Sequence, residues 1–223
     1  MADIDLVIFD LDGTLLDTIE DLGDSVNEVL RCREFPEHSY EDYREYIGDG
    51  MEMLIRRALP AGPASDPEMF AAVLGDYQAA YGRNWNNKSR PYEGILECLE
   101  NLSSRGVKLA VLSNKPDHFT RLCVSELLPG NAFFEVCGDR EGIARKPDPG
   151  GALAIAGELG VSAGRTLFAG DTDVDITTAL RAGMIPVGVL WGFRGEDELR
   201  DAGALHLVNH PDEIVSLCSI AGL

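Results

Sequence analysis

Two carboxylates two residues apart, Asp10 and Asp12, open the segment Asp10-Leu11-Asp12-Gly13-Thr14 directly after an apolar run at residues 4–9. Like charges that close repel, so one must be neutralised by a proton or a metal. Such a segment can also be a plain turn, since Asp and Gly are turn residues. Three later segments bear on the choice: Ser113-Asn114, Lys146 in Arg-Lys-Pro-Asp-Pro, and Gly170-Asp171-Thr172 followed by Asp173 and Asp175. Ser113 and Asn114 offer hydroxyl and amide donors suited to phosphoryl oxygens. Asp10, Asp12 and Asp171 form a hard-oxygen set suited to Mg²⁺ with room for water and a phosphate. Lys146 supplies compact positive charge. Taken singly, each has an ordinary reading. A Ser-Asn pair caps helices, a lysine before Pro-Asp-Pro is a solvated loop charge, and acids in a first helical turn suit the helix dipole. Asp173 is read in that last way. A calcium loop is excluded, because its glycine and distal glutamate are missing.

What gathers these segments is their place at the ends of strands. Residues 4–9 are rich in β-branched types, as in a buried parallel strand. Further strands are expected at 108–112, 133–137, 166–169, 187–190 and 206–208. Helices are expected between them at 93–105, 117–127, 150–159, 173–182 and 211–218. In the helix at 93–105, Ile95, Leu96, Leu99 and Leu102 are assigned to one apolar face. This alternation implies right-handed βαβ crossovers, hence an α/β fold with a Rossmann-like, doubly wound parallel sheet. All carboxyl ends of such a sheet share one edge, where ligands collect. Residues 17–90 differ: they read as helices at 18–33, 40–46, 51–59 and 67–81, with a loop at 60–66 and no strand. Thr18 with Asp21 forms a weak capping pattern for the first of these. The expected organisation is therefore a core of residues 1–16 and 91–223, with an all-helical block, 17–90, inserted after the first strand.

Composition narrows the function further. The 223 residues suffice for a sizeable core, and 45% hydrophobic and 26% charged residues are ordinary for a globular protein. A formal charge of −19 argues against nucleic-acid binding and slows the approach of anions unless positive charge is local. The lysines are Lys88, Lys108, Lys115 and Lys146. No run approaches the ~18 apolar residues that span a bilayer, and no cleavable apolar leader is read, so a cytoplasmic protein without membrane attachment is expected. Cys32, Cys98, Cys123, Cys137 and Cys218 lack metal-ligand spacing and are read as reduced core thiols. Oligomeric state carries no sequence signal.

With its motifs at Asp10-Leu11-Asp12-Gly13-Thr14, Ser113-Asn114, Lys146 and Gly170-Asp171-Thr172 with Asp175, the chain resembles the haloacid dehalogenase superfamily of phosphatases. Leu15-Leu16-Asp17-Thr18, Ile47-Gly48-Asp49-Gly50, Arg90-Pro91-Tyr92 and Val189-Leu190-Trp191-Gly192-Phe193-Arg194 resemble its phosphoglycolate phosphatase branch. Thr172 stands where that pattern often has serine. The resemblance implies Asp10 as nucleophile, Asp12 as general acid and base, and Lys146 with Ser113 and Asn114 as phosphoryl contacts. It further implies Mg²⁺ on Asp10, Asp171 and the main-chain carbonyl of Asp12, with Thr14 and Asp175 as supporting groups. Asp175 is expected to orient Lys146 or a metal-bound water. The implied substrate is a small phosphorylated metabolite, and the inserted block would be a cap. Gly48-Asp49-Gly50, before the helix at 51–59, is the candidate contact for a substrate carboxylate. Arg56 and Arg57 are weaker candidates, and a surface loop is the alternative there.

Relatives differ in chemistry. A dehalogenase has no alkoxide to protonate, so Asp12 favours phosphate. A phosphonate hydrolase needs a cap lysine, and the block holds only Lys88, at its far end. Pyrophosphatase, phosphosugar mutase and a catalytically idle binding module remain as alternatives.

Overall fold

A computed structural model describes residues 4–128, 130 and 133–219. The chain opens with β1 (Leu6–Phe9) and β2 (Leu16–Asp17). It continues through α1 (Ile19–Cys32), α2 (Tyr40–Tyr46), α3 (Met51–Ala58), α4 (Ala61–Ser65) and α5 (Pro67–Asn84) to β3 (Arg90–Pro91). Then α6 (Ile95–Ser104), β4 (Lys108–Pro116), α7 (Asp117–Leu127), β5 (Phe133–Asp139) and α8 (Gly150–Glu158) follow. The chain ends with β6 (Thr166–Gly170), α9 (Asp173–Ala182), β7 (Ile185–Val189), α10 (Glu196–Asp201), β8 (His206–Val208) and α11 (Pro211–Ser219).

Six strands form one parallel sheet in the order β5-β4-β1-β6-β7-β8, which puts β1 between β4 and β6. The α/β, Rossmann-like expectation therefore holds. Every residue of β1 is fully buried because both faces are covered. Val7 and Phe9 pack with Leu99 and Leu102 of α6 and Ile214 of α11. Leu6 and Ile8 pack on the other face with Ile155 of α8 and Ala179 of α9.

The helical block leaves and re-enters through a two-strand hinge, where Leu16 pairs with Pro91 and Asp17 with Arg90. Asp21, buried in α1, accepts hydrogen bonds from the amides of Lys88 and Ser89 and from the Ser89 hydroxyl. Thr18 makes no capping hydrogen bond with its side chain. The expected Thr18–Asp21 cap is thus absent; Asp21 ties the two hinge passages together instead.

Other departures are local. Residues 61–65 of the expected loop form α4, and α10 occupies a stretch read as neither helix nor strand. Leu96 is 42% exposed and lies off the buried face of α6. β4 continues to Pro116 and carries Ser113 and Asn114 within it rather than after it. Cys32 is exposed, which corrects its reading as a core thiol. Among the described residues no helix is long and apolar enough to cross a membrane.

Candidate active site

The carboxyl ends of β1, β4 and β6 meet around Asp10. This side chain is buried, as are Asp171 at the end of β6 and Asp175 in the first turn of α9. Ligand atoms of the three carboxylates lie within 4.8 Å of one another. Lys146 Nζ sits 2.7 Å from Asp10 Oδ1 and 2.7 Å from Asp175 Oδ1. The contact to Asp175 is a hydrogen bond. That to Asp10 is an ion pair, and among the described residues Lys146 is the one polar contact of Asp10 Oδ1.

The surroundings of Asp171 and Asp175 explain their orientation. Asp171 Oδ1 accepts from the Thr14 hydroxyl at 2.8 Å, and Oδ2 accepts from the Phe193 amide at 2.9 Å. Gly13 and Gly192 make room for it: a Cβ on either would come within 2.2 Å of the Asp171 side chain, and Gly13 has a φ of +88°. Asp175 Oδ2 accepts from the amide and hydroxyl of Thr172, so threonine fills the donor role expected of serine there. With both oxygens engaged, Asp175 is arranged to orient Lys146. Asp173 is exposed.

Crowding of negative charge marks this cluster electrostatically. Burial pushes the Asp10 carboxyl up to about 7 despite the pull of Lys146. Burial, then the charges of Asp175 and Asp10, hold Asp171 well above the ordinary carboxylate range. Burial works against the Lys146 ammonium, but Asp10 and Asp175 outweigh it and keep the group charged.

Asp12 faces elsewhere. Its oxygens lie 2.8 and 3.0 Å from Lys115 Nζ, and Oδ1 also accepts from the Thr18 hydroxyl at 2.8 Å. Lys115 went unassigned in the sequence, although it directly follows Ser113-Asn114 and lysines are few; that adjacency was the available signal. Its ammonium lies 4.8 Å from the centre of the Tyr81 ring, a cation–π contact made from α5.

A cleft of about 500 Å³, including its open mouth, lies between the sheet edge and the helical block. Asp10, Asp12, Ser113 and Lys115 line it from the core; Met51, Leu54, Tyr77 and Tyr81 line it from the block. Ser113 Oγ accepts from the Lys115 amide at 3.3 Å. Asn114 corrects its expected role as a phosphate contact through its amide. Nδ2 donates to the carbonyls of Gly48 and Lys146, and Oδ1 accepts from the Lys146 amide, so the side chain braces Lys146 and the Gly48 loop. Gly48 and Gly50 line the cleft, whereas the Asp49 carboxylate pairs with Arg57. Arg56 donates to the Ala64 carbonyl and lies over the Phe70 ring, so neither arginine faces the cleft.

The donor set fits a hard divalent cation. It offers buried carboxylate oxygens within 4.8 Å of one another and sets three carboxylates against one ammonium. Asp10 and Asp171 are the side chains available, since Asp175 has both oxygens engaged; the Asp12 carboxylate is committed to Lys115 and Thr18.

Residues 7–189 match the haloacid dehalogenase-like hydrolase family. The chain is 33% identical over 214 residues to the phosphoglycolate phosphatase of Mannheimia succiniciproducens, covering 94% of this chain and 92% of that protein. It is 34% identical over 193 residues to that of Haemophilus influenzae, covering 84% and 86% of the two chains. A crystal structure described as a predicted phosphoglycolate phosphatase from Haemophilus somnus superposes with a TM-score of 0.90 at 28% identity, covering 97% of this chain and 99% of that one.

Proposed function

The chain belongs to the haloacid dehalogenase-like hydrolase family, and from that premise we propose that it is a Mg²⁺-dependent phosphatase of a small, phosphoglycolate-like phosphomonoester. The observation that carries this reading is the meeting of Asp10, Lys146, Asp171 and Asp175 at one sheet edge, with Asp12 lining the same cleft. Relatives named phosphoglycolate phosphatase support the substrate class.

In the proposed reaction an Asp10 oxygen attacks phosphorus, and the bond from phosphorus to the alcohol oxygen breaks. Asp12 must enter this step protonated, and it gives that proton to the departing alkoxide. The aspartyl-phosphate splits one hard displacement into two easier ones. Asp12 then takes a proton from water as that water attacks phosphorus, which releases inorganic phosphate and restores Asp10. Lys146 and the Ser113 hydroxyl stabilise the charge that spreads over the phosphoryl oxygens. Asp10, Asp171 and the main-chain carbonyl of Asp12 would hold a divalent cation, which would supply Lewis-acid neutralisation of carboxylate and phosphoryl charge. The helical block acts as a cap, with Tyr77, Tyr81, Met51 and Leu54 excluding water from the cleft.

Steady-state assays with 2-phosphoglycolate, pyrophosphate, sugar phosphates and nucleoside monophosphates, with and without Mg²⁺, test the proposal. The expected result is Mg²⁺-dependent phosphate release with the highest kcat/KM for 2-phosphoglycolate. A preference for pyrophosphate, or conversion of a sugar phosphate without phosphate release, would replace it with a pyrophosphatase or a mutase. No turnover of any phosphoester would leave a binding module.

A further inference from the structure

Asp12 lies beyond β1 in a turn, and its carboxyl must meet one atom, the ester oxygen. Two groups from different parts of the molecule hold it. Thr18 belongs to the hinge, directly after β2 and before α1, and reaches Asp12 Oδ1 at 2.8 Å. Lys115 belongs to the core and reaches both oxygens, at 2.8 and 3.0 Å.

The lysine is itself fixed with care. The register of β4 against β5 shifts between Leu112 and Pro116, the kind of irregularity that re-aims a side chain near a site. The Lys115 carbonyl accepts from the Thr120 hydroxyl at 3.0 Å. A Cβ on Gly138 of β5 would come within 2.6 Å of that carbonyl, so the neighbouring strand packs tightly against it. The side chain is 4% exposed and runs under Tyr81, which stacks on Tyr77 and meets Phe119 edge-on. Among the described residues that line the cleft, Lys115 is the one basic side chain. A buried ammonium placed so rigidly has little freedom to follow a ligand, and among the described residues its one carboxylate partner is Asp12.

We infer that Lys115 is a positioning residue that holds the Asp12 carboxyl against the ester oxygen of the substrate, with Thr18 as the hinge-side half of the same clamp. The inference rests on the proposed role of Asp12 as general acid. Lys115 acts through Asp12 and makes no contact of its own with the reacting atoms.

The consequence is a dependence on the leaving group. A nitrophenolate departs without a proton, whereas an alkoxide needs one, so misplacing Asp12 penalises alkyl esters selectively. The test measures kcat/KM, which reports the transfer to Asp10, for p-nitrophenyl phosphate, phenyl phosphate, ethyl phosphate and 2-phosphoglycolate. The proteins are the unsubstituted enzyme, Lys115→Met, Asp12→Asn and the double variant. Lys115→Met is expected to lose about 10- to 100-fold on both alkyl esters, a share of the 10²–10⁴ that a positioned acid contributes. It should stay within about threefold on p-nitrophenyl phosphate. In the Asp12→Asn background the same substitution is expected to change nothing further, since groups that act as a unit are not additive.

Equal losses across all four esters would overturn the inference in favour of a structural role. A loss confined to 2-phosphoglycolate, with ethyl phosphate spared, would overturn it in favour of a lysine that binds the substrate carboxylate. If Asp12→Asn itself lost equally on every ester, the acid role of Asp12 would fail and the inference with it. Where Lys115→Met does not fold, Thr18→Val tests the other half of the clamp by the same selectivity.

Discussion

The two buried lysines paired with Asp10 and Asp12 stand in opposite electrostatic settings. Lys146 faces a cluster with more acids than it can neutralise, and burial with mutual repulsion keeps Asp10 and Asp171 reluctant to ionise. Lys115 faces one acid, and that pair is closed by Thr18 and roofed by an aromatic ring. The difference separates two settings for carboxylates that lie two residues apart in the chain, Asp10 and Asp12. An acid cluster left short of positive charge suits a divalent cation. A balanced pair is prepared to keep one carboxyl still.

Asp10→Asn is the harshest trial of that contrast. Turnover of p-nitrophenyl phosphate should fall by about 10⁴-fold or more, because the proposed nucleophile is gone. Stability should move the other way. The folded carboxyl has its pKa raised from 3.8 to about 7, so the folded state binds the extra proton. Metal-free stability therefore falls as pH rises between those values. Asparagine removes that slope, and the metal-free variant should melt a few degrees higher at pH 7, at about 2–4 °C per kcal/mol for a chain of this length. A lower melting temperature, by calorimetry at pH 5 and 7, would show that the cluster is not short of positive charge.

Lys146→Met should be smaller in rate and larger in stability. Loss of one charge stabiliser lowers kcat by about 10²–10³-fold. Removing one partner of a buried ion network costs about 3–5 kcal/mol. Because that loss comes from unopposed carboxylates, Mg²⁺ should raise the melting temperature of this variant more than that of the parent. An equal Mg²⁺ shift in both would break the contrast.

The mildest prediction concerns how the acid cluster is tied to the helical block. Arg194, in the loop after β7, donates to the carbonyls of Arg44, Glu45 and Ile47 at the end of α2. Arg44 returns a bond to the Gly192 carbonyl at 2.9 Å, and the Phe193 amide between them holds Asp171. Arg194→Ala should cost about 1–3 kcal/mol and weaken Mg²⁺ binding severalfold. The leaving-group profile should be untouched, since Asp12 is held from β4 and the hinge. Isothermal titration with Mg²⁺ and the ester series together check both halves.

Much of this was legible before any coordinates. The apolar run ending at Asp10, the strand ending at Gly170-Asp171 and the strand beginning at Lys108 appear in one sheet with β1 central, because a period of hydrophobicity reports burial directly. The pairings of side chains were less so. Thr18 reads locally as a helix cap, yet its hydroxyl is taken by Asp12. Asn114 reads as a ligand donor, yet its amide brackets the Lys146 main chain, a residue 32 positions away. α10 was missed because a short, acid-rich stretch carries too little apolar periodicity to announce a helix; only Leu199 of it is buried.

By itself, the order of residues determined which chemical groups reach the sheet edge, since strand ends and their acids are local in the chain. The tertiary structure alone decided which acid keeps which lysine. Asp12 and Lys115 lie 103 positions apart, and Lys146 and Asp175 lie 29 apart. Contacts of that kind depend on strand register, on loop paths and on the space left by Gly13, Gly138 and Gly192, none of which a periodic pattern encodes.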